Sequence, residues 1–89
     1  MPLTTSEKAS ILAYKKQIIS YQLEISRIKE KKKLRTAYFA HAIKTASSPS
    51  TKAVYRTNKL NEMNNLANQV EAKKKQIAGL RERIAQIKK

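Results

Sequence analysis

Ala46-Ser47-Ser48-Pro49-Ser50-Thr51 is the one interior stretch of this chain that reads as a break. Its residues are small and polar. Proline lacks a backbone donor and clashes with the carbonyl four residues before it, so no regular helix runs through Pro49. The same proline suits the first turn of a helix, where an N–H has no intrahelical partner. Ser48 ahead of it is a good N-cap, because its hydroxyl accepts from an orphan amide of the next turn. The stretch therefore predicts a helix stop followed at once by a helix start.

A second start lies at the front, where Thr4 is followed three residues later by Glu7 in the form of a capping box. Two helices result, over residues 5–46 and 49–88, with the turn at Ser47–Ser50 and the whole chain as one domain. At ~1.5 Å per residue each is about 60 Å long. Both far exceed the average helix of ~11–12 residues, which points to a coiled coil or long bundle. Composition agrees. One glycine in 89 residues cannot supply the turns of a β fold, and Lys, Ala, Ile, Gln, Leu, Glu and Arg are mostly good helix formers.

Apolar periodicity gives the helices their partner. Alternating steps of three and four pick out Ile11, Tyr14, Ile18, Tyr21, Ile25, Ile28, Lys32, Arg35, Phe39, Ala42 and Ala46 in the first half. The same steps pick out Met63, Leu66, Val70, Lys73, Ile77, Leu80, Ile84 and Ile87 in the second. These are the a and d positions of heptads. Folding the chain back at Pro49 sets residue n against one near 98 − n. Ile11 then meets Ile87, Ile18 meets Leu80, and Ile28 meets Val70. The expected fold is all-α: an antiparallel two-helix hairpin crossing near +20°. Near the turn the strict pattern fades, and Ile43 facing Tyr55 replaces it.

Helix one carries a second apolar stripe, Leu12, Ile19, Leu23, Leu34 and Tyr38, well away from the seam on a helical wheel. Single exposed apolar residues are ordinary on protein surfaces. A row of them on a hairpin with little core of its own predicts instead an oligomer or partner interface, assembling the hairpin into a larger helical bundle. Gly79, on the outer face of helix two, is read as a mark of close helix approach.

Catalysis fails on inventory. There is no cysteine, no aspartate and one histidine, His41, on a wet helix face with no partner in sequence. Neither a metal centre nor a cofactor site is expected, and no Gly-rich phosphate loop exists. The N-terminus has no basic segment followed by an apolar run, so no signal peptide is expected. No apolar run approaches the ~18 residues of a membrane-spanning helix. The expected setting is cytoplasmic or within a nucleoprotein or virion assembly.

Charge is the feature left to explain. Twenty Lys and Arg stand against six Glu, a formal net charge of +14, with ten bases in each half. The run from Arg27 to Arg35 contains Arg27, Lys29, Lys31, Lys32, Lys33 and Arg35. Lys73, Lys74 and Lys75 form a second run, which the hairpin brings near residues 23–25, so the two make one belt around the waist. Lys32, Arg35 and Lys73 fall on the seam itself, where a long stem can lie along apolar surface while its head stays wet. Toward the turn, Arg35, Lys44, Lys52, Arg56 and Lys59 surround Tyr38, Phe39 and Tyr55. Bases interleaved with aromatics can clamp phosphates and stack nucleobases, while the same aromatics can simply close the top of the core. A charge this unbalanced repels itself unless a polyanion neutralises it, and nucleic acid is the expected partner. No zinc-finger, basic-zipper, homeodomain or RNA-recognition pattern is present, so recognition through backbone phosphates is expected, without base readout.

In outline, two long helices joined by a short Ser/Pro turn are similar to type III secretion needle subunits and to the small secreted hairpins with a Trp-X-Gly turn. This chain has no tryptophan and its turn reads Ser47-Ser48-Pro49-Ser50. The basic coiled-coil stalk proteins of secretion systems are nearer in charge, and helical viral coat or nucleoprotein subunits share the outline. Such outlines leave a second expectation open, a coiled-coil assembly protein with no nucleic acid involved, because fold alone does not assign function.

Overall fold

The computed structural model describes residues 2–89. Helix α1 runs Thr5–Thr45 and helix α2 runs Pro49–Lys88, packed against each other as a hairpin. The molecule measures 69 × 15 × 11 Å with a radius of gyration of 20.2 Å. A globule of this length would have a radius of about 12 Å, so this is a rod.

The local signals act as their chemistry requires. Thr4 Oγ1 accepts from the Glu7 amide at 3.0 Å, and Glu7 Oε1 accepts from the Thr4 amide at 3.0 Å, closing the capping box. Ser48 Oγ accepts from the Thr51 amide at 3.2 Å, with Pro49 at the first position of α2. Helix α1 stops one residue earlier than its sequence pattern suggests. Ala46 is extended, at φ −64 and ψ 135, while its amide still donates to the Ala42 carbonyl. Ser48 is extended too, at φ −125 and ψ 149, the conformation that a following proline imposes. No described residue has positive φ, so this turn requires no glycine.

The register follows the seam. Glu24 meets Lys73, Arg35 meets Glu62 and Thr36 meets Met63, each within one residue of 98 − n. Ile11, Ile18, Ile25, Ile77, Leu80 and Ile84 form the buried core, flanked by Leu3, Tyr14, Tyr21, Val70 and Ile87. Phe39 and Leu66 are buried at 3% and 2% exposure but lie outside that cluster, so the apolar core is divided at the waist. Tyr55, Ile43, Ala42 and Ala46 are half-buried around the turn. Phe39 and Tyr55 therefore close the core at that end.

One seam position departs from expectation: Lys32 is exposed. Arg35 and Lys73 each meet an acid across the seam, whereas Lys32 lies opposite Leu66 and keeps its ammonium in water at the rim.

Candidate polyanion interface

Acids are drawn into the seam. Arg35 lies bidentate on Glu62, with Nε 2.8 Å from Oε1 and Nη2 3.2 Å from Oε2. Its guanidinium also stacks over Tyr38 at 4.4 Å and Phe39 at 5.1 Å, and those rings meet edge to face. The hydrogen bond to Glu62 is the main reason that the Arg35 pKa is raised above its already high ordinary value, opposed by partial desolvation. Arg35 thus keeps its charge wherever the fold survives.

Lys73 makes the equivalent crossing from α2. Its Nζ is 2.9 Å from Glu24 Oε2 and 5.4 Å from the centre of the Tyr21 ring. Glu24 Oε2 is closed off from solvent and has no hydrogen-bond partner, so the nearby ammonium charge is what compensates it. Glu71 lies 3.8 Å from Lys74 on the exposed surface of α2, a contact worth about 0–1 kcal/mol. Glu7 is held in the capping box. Among the described residues, only Glu30 and Glu82 are left without such a partner, against seventeen bases outside ion pairs.

The sequence-predicted bases therefore divide. Arg35 and Lys73 are half-buried and turned onto acids across the seam. Arg27, Lys29, Lys31, Lys32 and Lys33 are exposed and wrap the waist of α1, and Lys74 and Lys75 are exposed on α2. Lys44 and Arg56 are exposed near the turn, and Lys52 is half-buried there. Lys8, Lys15, Lys16, Arg81, Arg83 and Lys88 are equally exposed. They stand outside the charge runs, and only their heptad positions signal where they lie.

The second apolar stripe is uncovered within the chain. Leu12, Ile19, Leu23 and Leu34 are between 51% and 64% exposed, and Tyr38 is 49% exposed against Arg35 and Phe39. On the other flank, Gln17, Tyr21, Gln76, Gly79, Leu80 and Arg83 line a shallow groove of about 260 Å³. Gly79 marks no close approach inside the hairpin: a Cβ built there meets nothing within 4 Å. Gly79→Ala is therefore expected to stabilise the fold by about 1 kcal/mol through helix propensity alone. For a chain of this size that raises the thermal midpoint by about 4–8 °C, measurable by circular dichroism. An unchanged or lower midpoint would mean that the glycine serves a contact outside the hairpin.

Among the described residues, no group of His, Asp or Glu is placed to hold a metal ion. No helix among them is long and apolar enough to cross a membrane. Compared with protein families, curated proteins and solved structures, the chain matches none.

Proposed function

We propose that this protein is a non-enzymatic, basic coiled-coil hairpin that binds nucleic acid or another polyanion through backbone phosphates. Its role would be structural, packaging or ribonucleoprotein-associated, in the cytoplasm or within a nucleoprotein or virion assembly. One observation carries the reading: among the described residues, four of the six acids are engaged within the fold and seventeen bases stand outside ion pairs around a thin rod. A merely soluble charged rod needs no such imbalance. Phosphate contacts release condensed counterions, so binding should be steep in salt and largely blind to sequence. Titrating unrelated DNA and RNA duplexes across salt tests it. No binding at low salt, or binding indifferent to salt, overturns it.

The uncovered row of Leu12, Ile19 and Leu23 supports a second reading, a homo-oligomer or a complex with a helical partner protein. Light scattering separates the two forms. A native oligomer that becomes monomeric on triple substitution to serine supports self-assembly through this row. A native chain that is monomeric at every concentration tested removes it.

A further inference from the structure

The exposed bases are not spread evenly around the rod. Heptad letters follow from the buried seam, with Ile11, Ile18 and Ile25 at a in α1 and Ile77 and Ile84 at a in α2. In an antiparallel pair the e positions of one helix flank the e positions of the other, and g flanks g. The contacts agree for the g side, where Gln17, Gln76 and Arg83, all g residues, line one groove. Glu24 and Glu62, also g residues, reach the seam cations from that side.

The e side is different. Helix α1 contributes Lys8, Lys15 and Lys29 there, and α2 contributes Lys88, Arg81 and Lys74, all of them exposed. In the observed register they alternate along the axis: Lys8 then Lys88, Lys15 then Arg81, Gln22 then Lys74, and finally Lys29. The heptad step of about 10.5 Å repeats the pairs, so the row extends about 31 Å. No acid stands at an e position in this span, and of the six bases Lys74 has an acid within reach, Glu71 at 3.8 Å on the exposed surface. The g edge over the same length carries Ser10, Gln17 and Glu24 facing Gln69, Gln76 and Arg83, and is close to neutral.

We propose that this e edge is the nucleic-acid site: a single phosphate backbone lies along the rod there, parallel to the helices, and the waist belt other than Lys29 and Lys74 contributes only general attraction. The proposal rests on the polyanion-binding reading and gives it a place and a direction. Closely spaced charges of one sign add their potentials along the row, which favours a polyanion there. Long Lys and Arg side chains from two helices can follow a curved backbone that a single helix face would leave.

Two variants of the full chain test it, each removing six charges from the +14. The edge variant changes Lys8, Lys15, Lys29, Lys74, Arg81 and Lys88 to Gln. The control variant changes Lys16, Lys31, Lys32, Lys33, Lys44 and Lys75 to Gln, none at an e position. All twelve side chains are exposed and Gln is a comparable helix former, so both should keep the helical content of the native chain. The probe is a mixed-sequence DNA duplex titrated between 50 and 200 mM salt. The edge variant should bind about tenfold or more weaker than the control, its salt slope reduced by about 0.9 for each phosphate it no longer neutralises. Equal weakening in the two variants, or greater weakening in the control, overturns the edge while leaving polyanion binding standing. Failure of the native chain to bind overturns both.

A footprint independent of charge keeps the test valid if either variant unfolds. The chain has no cysteine, so a single thiol can be placed at will. Gln22→Cys, on the e edge, should be shielded from alkylation by the bound duplex. Gln17→Cys, on the g edge, should stay reactive. The reverse pattern, or equal shielding, would falsify the proposal.

Discussion

Between 50 and 200 mM salt, affinity for a nucleic-acid duplex is expected to fall by about 10³–10⁵, if the rod engages six to ten phosphates. The logarithm of the binding constant should fall linearly with the logarithm of salt concentration, with a slope of about −5 to −9. Phosphate contacts position a protein without reading bases, so unrelated duplexes should give nearly the same slope. The reason lies in the distribution of acids. Glu24 and Glu62 are turned onto Lys73 and Arg35 within the fold, so they offer little local repulsion to an approaching polyanion. The titration also separates mechanisms. Strong binding with a slope near zero would point to apolar docking on Leu12, Ile19 and Leu23 in place of phosphate contacts. Purified protein carrying a high ratio of absorbance at 260 to 280 nm would be a direct sign of bound nucleic acid.

Phe39→Ala is expected to open the turn half of the hairpin while leaving the other half folded. Truncating a buried Phe costs about 3–5 kcal/mol, a large share of the stability of a small chain. The effect is local because the core is divided. Six buried residues between Ile11 and Ile84 support one another below the waist, whereas above it, among the described residues, only Phe39 and Leu66 are buried. Phe39 also supports the Arg35 guanidinium, so its removal loosens the Glu62 pair as well. Native-state hydrogen exchange should show protection abolished across residues 35–63 and retained across 11–28 and 70–84. Ile18→Ala, in the larger cluster, should lower protection along the whole rod. A uniform decrease in Phe39→Ala would show that the hairpin unfolds as one unit and that the divided core has no thermodynamic consequence.

Most of the architecture was legible because its signals are local or periodic. The Thr4–Glu7 capping box and the Ser48-Pro49 restart act within one turn of helix, and both form with the predicted partners. Register was legible because each seam repeats at the heptad period and the short turn allows little slippage. The boundary at Ala46 is off by one residue, since nothing in an alanine signals where a helix stops. Lys32 departs from its seam position for a different reason. Its spacing places it on the seam, but no acid of α2 reaches it there as Glu62 reaches Arg35 and Glu24 reaches Lys73, so its charge stays in water.

The candidate surface was legible only in part. Charge runs are conspicuous in a linear string, and the belt of Arg27, Lys29, Lys31, Lys32 and Lys33 with Lys74 and Lys75 is of that kind. Lys8, Lys15, Arg81 and Lys88 stand apart in the chain and come into one row only when α2 lies antiparallel on α1.

By itself, the sequence determined two long helices, their turn, their antiparallel register and the excess of positive charge, because each follows from local chemistry or from a repeat along the chain. Only the tertiary structure decided which charges remain available. Arg35 and Lys73 are members of basic runs in the sequence, yet Glu62 and Glu24 hold them across the seam at 2.8 and 2.9 Å. Coulomb energy depends on distance in space and on the surrounding dielectric, and neither quantity is a property of position along the chain.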